Sequence, residues 1–363
     1  MHRSICALGT LAALSLVVPW AAAPPAEAKL PRGWPHRFEI GVSDQPGGAA
    51  ALRRQAPFGF RYQYLAGGVN TGSGWATWNP NGTFVSNYVR ESRRAGIVPV
   101  FTYYQLLQSA PAAGSAENEK DLNNLRNRAT MRAYWKDYRL FLRRARGRKL
   151  VVAHVEPDLW GYLEHAKAAK LARRYARKAV RLRNRTARNV KLAWHLSIWG
   201  TGEDPTYSEP PVRHMKALAR ESARWFTRSG GRRFDLVFVD VEDRDAGFNE
   251  VINGDPRSAW DALDFRRNTT YLRAFHRRTH RPIVIWQIPV GNSTLPNEWG
   301  AFRDTRVEWW LGSRRHLERE RDAGVVALLF GGGADGTTTP QTDGGLLFRL
   351  TRQYYATGAL RLR

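Results

Sequence analysis

The chain has 363 residues, a single cysteine and a formal net charge of +25. With no second cysteine there is no intrachain disulfide, so an apolar core must hold the fold, and 14 Trp, 13 Tyr and 15 Phe supply large surfaces for one. The positive charge suits nucleic acid, anionic membrane or an acidic cell wall, but no Gly-rich phosphate loop or base-stacking motif accompanies it, which argues against nucleic acid.

Residues 1–28 read as a secretory signal peptide: a short basic "MHR", the apolar "ICALGTLAALSLVV" and a small-residue "AEA" ending at Ala28. The apolar run is shorter than a membrane span and is followed by Pro24 and Pro25. A cleaved, secreted, extracellular protein covering residues 29–363 is expected. Cys6 would leave with the signal, and no membrane partner would remain.

From there, β-like runs alternate with amphipathic segments. "RFEIGVSD" (37–44) and "FRYQYLAGG" (60–68) come first. A helical stretch over 84–95 leads to "GIVPVFTYYQ" (96–105), and a long helix over 121–146 leads to "KLVVAHVEPD" (149–158). Helices over 167–188, 211–228, 258–279 and 304–323 lead in turn to runs at 190–200, 234–243, 282–290 and 325–333. A closing helix covers 345–356. On the arginine-rich helix, Leu171, Tyr175, Ala179 and Leu182 share one face and leave the charges on the other. Much of the positive charge is therefore a solvated surface, with electrostatic association to an anionic wall a further possibility.

Eight strand-like runs, nearly all followed by a helix, imply a parallel sheet. Eight units in one chain of this length match a single-domain (β/α)8 TIM-type barrel. An open doubly wound sheet would carry a Gly-rich dinucleotide fingerprint in its first turn. The first turn here, "SDQPGGAA", lacks that spacing. A monomer without a cofactor is expected.

In such barrels the working site lies at the C-terminal strand ends. Acids and aromatics gather at that rim: Trp75, Tyr104, Glu156, Asp158, Trp160, His195, Trp199, Asp240, Glu242, Asp243, Gln287 and Asp335. The opposite rim begins with Lys149, Lys191, Arg233 and Arg281. Strand pleat turns Val151, Ala153 and Val155 toward the helices and Val152, His154 and Glu156 into the barrel. In the sixth run, Val237, Val239 and Val241 face out, and Phe238, Asp240 and Glu242 face in. Inward acids from two strands crowd one cleft, which separates their pKa values into acid and base roles. Glycosidic cleavage needs that division. Trp75, Trp160 and Trp199 are candidate sugar platforms with Tyr104, His195 and Gln287 beside them, and His154 is expected to hold Glu156.

Two other readings use the same residues. One is a non-catalytic barrel that binds wall polysaccharide through the aromatics. The other is a metal-dependent phosphodiesterase, with His154, Glu156, Asp158, Asp240 and Glu242 as ligands. No HExxH, histidine pair or EF-hand spacing supports the metal, so none is expected.

"VVAHVEPDLWG" (151–161) resembles the acid-bearing segment of family 6 glycoside hydrolases, and "FGGGADGTT" (330–338) is similar to that family's Gly-rich segment. The resemblance implies Asp158 as general acid, Asp335 as base or water-orienting group, and inversion. That family has a seven-stranded barrel, whereas eight units are counted here. The large retaining clan ends its seventh strand with a nucleophilic glutamate, and here "IWQIPVGN" places Gln287 there. Families with acids on strands four and six fit the pleat better. The expectation is a glycosidase acting on an extracellular polysaccharide.

Overall fold

A computed structural model describes residues 29–204 and 207–362; the proposed signal segment lies outside the described residues. Eight parallel strands close into a barrel in chain order. They are β1 Glu39–Ser43, β2 Phe60–Leu65, β3 Val98–Tyr103, β4 Val151–Val155, β5 Val190–Leu196, β6 Leu236–Asp240, β7 Ile283–Ile288 and β8 Val325–Phe330. Pairing of β1 with β8 completes the ring. Every expected strand run is present, and the (β/α)8 architecture holds as one domain.

The pleat divides the core into two shells. Val151, Ala153, Val155, Val237 and Val239 pack outward among the helices. Val152, Phe238, Val284 and Trp286 pack inside the barrel. Buried apolar surface of this extent is the main driving force for folding, at roughly 25 cal/mol per Å².

Two helices expected to be continuous are broken. Between Glu117–Arg126 and Arg128–Ala145, Asn127 leaves helical geometry and its side chain caps the amides of Ala129 and Thr130. Ser313 likewise separates Arg306–Gly312 from Arg314–Asp322. Short helices at Ala49–Gln55, Leu159–His165 and Ala246–Ile252 were not expected; each is only two turns long, below the length at which periodicity speaks clearly. None of the described helices is long and apolar enough to cross a membrane.

Candidate active site

A cleft of roughly 470 Å³ opens at the C-terminal ends of the strands, a size suited to a small ligand or a few sugar rings. Its carboxylates are Asp158, Asp204, Asp240, Glu242 and Asp243, and its aromatic walls are Tyr64, Tyr104, Trp199, Tyr207 and Trp286. No lysine, arginine or histidine lines it among the described residues.

Asp158 and Asp240 approach each other from β4 and β6, with His195 of β5 between them. One ligand atom from each of the three lies within 4.8 Å of the others. Asp158 sits just beyond β4 in the left-handed region, at φ 66°, a conformation that costs an aspartate about 1 kcal/mol or more. Tyr104 donates its hydroxyl to Asp158 Oδ2 at 3.2 Å. Burial pushes the Asp158 carboxyl up to about 6; His195 and Tyr104 oppose the rise, and Asp240 adds to it.

His195 belongs to a file of polar groups inside the otherwise apolar barrel. Its Nδ1 lies 3.0 Å from His154 Nε2, and His154 Nδ1 lies 3.5 Å from Thr102 Oγ1. His154 packs on Phe238 and Trp286. Burial, and then the neighbouring His195, hold its pKa well below the ordinary histidine value, so it is neutral. A neutral His154 carries one ring proton. It either donates from Nε2 to His195 or accepts there while donating to Thr102. The proton position on His195 is thereby tied to that on His154. At the other ring edge, His195 Nε2 lies 3.3 Å from Asp240 Oδ1. That is ion-pairing distance but outside hydrogen-bond geometry, which leaves both atoms without a hydrogen-bond partner.

The remaining acids belong to the loops after β5 and β6. Glu242 accepts from the Tyr207 hydroxyl at 2.8 Å and from the amides of Asp243 and Arg244. Asp243 pairs with Arg244. Burial, followed by its hydrogen bond with Glu242, raises the Asp243 carboxyl to about 7.

Gln287 reaches the cleft through an irregularity. Val284 and Trp286 face inward and Ile285 outward, so strict alternation would turn Gln287 toward the helices. The register between β7 and β8 slips between Ile285 and Ile288, and Gln287 takes φ 59°. This bulge re-aims the amide into the cleft, where Tyr64 donates to Oε1 at 2.9 Å. Gly333 makes room for it, since a Cβ there would collide with Gln287 Nε2. Trp199 also lines the cleft, 5.2 Å from the Tyr162 ring. Gly161 permits that placement, because a Cβ on it would meet the indole.

Several expected site residues lie elsewhere. Glu156 is fully buried and accepts from the amides of Gln105 and Leu106 rather than lining the cleft. Pleat alternation stops at Val155 because Glu156 takes φ 49°, which turns its carboxyl toward Tyr134. Burial raises that carboxyl to about 8. His154 therefore holds His195, not Glu156. Trp160 donates to the Val155 carbonyl and packs on Tyr175 and Trp194, between barrel and helices. Trp75 is buried and donates to Asp137. Asp335 is exposed and outside the cleft. Asp204, Tyr207 and Tyr64 were missed. Asp204 and Tyr207 belong to the acidic, aromatic stretch after β5, "TGEDPTYSE", which is the signal that could have found them.

Asp158, His195 and Asp240 are also the described residues whose donor atoms could together hold a divalent ion.

No family model and no curated protein matches the sequence. Solved structures do resemble the fold. A family 26 glycoside hydrolase from Muricauda sp. superposes with a TM-score of 0.56 at 11% identity, over 90% of this chain and 87% of that one. A Cellulomonas fimi endo-β-1,4-mannanase double mutant gives 0.55 at 12%, over 89% of this chain and 71% of that one. A family 5 glycoside hydrolase from Prevotella bryantii, solved with a xyloglucan tetradecasaccharide, gives 0.53 at 13%, over 88% and 96%. These likenesses establish the (β/α)8 barrel. They lie with families 26 and 5 and do not extend the resemblance to family 6.

Proposed function

We propose that the chain is a glycoside hydrolase in which Asp158 and Asp240 divide the chemistry. The carrying observation is their convergence from β4 and β6, with oxygens within 4.8 Å of one another. Retaining enzymes place their carboxyl groups about 5–5.5 Å apart, and inverting enzymes about 6.5–9.5 Å. That close approach lies nearer the retaining spacing than the inverting one, and so favours retention.

Asp158, whose pKa is raised to about 6, protonates the leaving glycosidic oxygen. Asp240 attacks the anomeric carbon and forms a glycosyl ester as that C–O bond breaks. Asp158, now ionised, takes a proton from water, and the water oxygen displaces Asp240. His195, held from behind by His154, fixes the Asp240 carboxyl. Trp199 and Tyr207 stack on sugar rings, and Gln287 hydrogen-bonds a sugar hydroxyl. The barrel likeness to mannanases and a xyloglucan-binding enzyme supports a polysaccharide substrate, and the signal-like leader supports secretion.

The test is proton NMR of the first product released from a polysaccharide panel. Retention of the anomeric configuration is expected. Inversion would remove Asp240 as nucleophile, and no release from any glycan would remove the hydrolase. A metal-dependent hydrolase is the second reading, favoured by the donor cluster of Asp158, His195 and Asp240. Loss of activity in chelator, restored by a divalent ion, would establish it instead.

A further inference from the structure

A second cavity, a groove of roughly 780 Å³, runs along the outer wall of the barrel between the helices Val212–Ser229, Ala262–Thr279 and Arg314–Asp322. It shares no lining residue with the cleft. Seven lysines and arginines line it, against one carboxyl group. Lys216 and Arg220 form one wall, one helical turn apart. Arg266, Arg273 and Arg277 follow one face of the middle helix over about 16 Å. Arg319 stands on the opposite wall, where its carbonyl accepts from Arg273 at 3.4 Å. None of the seven has an ion-pair partner among the described residues, whereas Arg267, turned inward on the same helix, is paired with Asp264. Like charges four residues apart, as at Lys216 and Arg220 or Arg273 and Arg277, cost a helix a few tenths of a kcal/mol per pair. The one carboxyl, Glu320, is buried beneath the groove. It accepts from Thr269 at 2.7 Å and from Trp310 at 3.3 Å, and burial raises it to about 7. It therefore offsets little of the charge above it.

Concavity separates this groove from the rest of the basic surface. Arg174, Arg177, Arg181 and Arg185 are exposed on the convex helix Ala169–Thr186, and each is solvated on its own. In the groove the cations of three helices converge on one volume, and their fields add there. The aromatics beside it narrow the ligand. Trp309 lies between Phe265, stacked at 4.4 Å and 5°, and His316, stacked at 4.0 Å and 15°. Both faces of the indole are covered, so the groove has no open tryptophan face on which a nucleobase would stack. A ligand there must be held through charge in its backbone, and guanidinium groups match phosphate oxygens in pairs.

We propose that this groove docks a linear phosphodiester polymer of the cell wall. The protein would be held by its outer wall while the acidic cleft stays free. The inference goes beyond the glycosidase reading and does not depend on it, since cleft and groove share no residue.

The experiment is calorimetric titration of the full chain with a synthetic glycerol-phosphate decamer. Binding is expected to weaken at least about tenfold between about 50 and about 200 mM salt. Two variants remove equal charge: Lys216→Gln, Arg220→Gln, Arg266→Gln and Arg277→Gln together in the groove, and Arg174→Gln, Arg177→Gln, Arg181→Gln and Arg185→Gln together on the convex helix. The groove variant should lose at least about tenfold in affinity and the convex variant less than about threefold, because only the groove gathers its cations round one ligand. Equal losses, or no binding by the wild type, overturn the inference. A single-stranded DNA decamer, a galacturonic acid decamer and vesicles of phosphatidylglycerol with phosphatidylcholine should all bind more weakly than the glycerol phosphate; equal or tighter binding of any of them overturns the wall-polymer assignment. A readout on the wild type alone guards against a misfolded variant. Saturating glycerol-phosphate decamer should slow acetylation of Lys216, read by mass spectrometry, and leave that of the exposed Lys170 unchanged. An unprotected Lys216 overturns the inference.

Discussion

Asp158→Asn should make the protein more stable while removing its turnover. In the native state the Asp158 carboxyl is raised from its ordinary 3.8 to about 6, mainly by burial. At 1.36 kcal/mol per pKa unit, keeping it ionised costs the folded state about 3 kcal/mol. This is an upper bound, because the residue is only partly buried by exposure. The sign follows from linkage. Below about pH 3 the carboxyl is protonated in both folded and unfolded chains, and the substitution changes little. As pH rises from about 4 to about 6 the unfolded chain ionises while the native group resists, and the wild type loses stability that the asparagine variant keeps. Urea denaturation at pH 3 and pH 8 reads this directly. The variant should match the wild type at pH 3 and exceed it by up to about 3 kcal/mol at pH 8. Turnover should fall by about 10² to 10⁴, the usual contribution of a general acid. A variant equal to or less stable than wild type at pH 8 would refute the strained, desolvated acid.

Wild-type kcat/KM should decline above about pH 6, tenfold per unit, as Asp158 loses the proton it donates; a profile flat to pH 8 rules it out as the acid. Glu156→Gln should retain activity within a few fold at pH 7, because a carboxyl raised to about 8 is already protonated there, whereas a thousandfold loss would return Glu156 to the catalytic set. Trp160→Ala should destabilise by about 3–5 kcal/mol in urea, while Trp199→Ala should raise KM and leave stability within about 1 kcal/mol. Asp335→Asn should keep wild-type turnover, given its exposed position outside the cleft; a large loss would revive the inverting scheme drawn from the Gly-rich segment.

The barrel was legible because eight buried strands print their pleat in the sequence. Val151, Ala153 and Val155 alternate with Val152 and His154, and the two shells of the core separate along that alternation. The same rule correctly turned Asp240 inward. It failed where the backbone leaves extended geometry: Glu156, one residue past β4 at φ 49°, and Gln287, in the bulge of β7 at φ 59°. Alternation has no meaning through a left-handed residue, and nothing in a single sequence marks a non-glycine that adopts one. The tryptophans misled for a different reason. Trp75 and Trp160 lie near strand ends, but each begins or occupies a short helix that rolls the indole beneath the rim. The histidine file from Thr102 to His195 could not be read at all, since it depends on three strands meeting in register.

The most direct measurement is reducing-end release from the preferred glycan by wild type, Asp158→Asn and Asp240→Asn, with each variant's binding checked by calorimetry. Asp158 and Asp240 acting as acid and nucleophile predict a drop of at least about a hundredfold for the first and about a thousandfold for the second, with affinity for the glycan retained in both. Turnover that survives both substitutions would contradict the assignment.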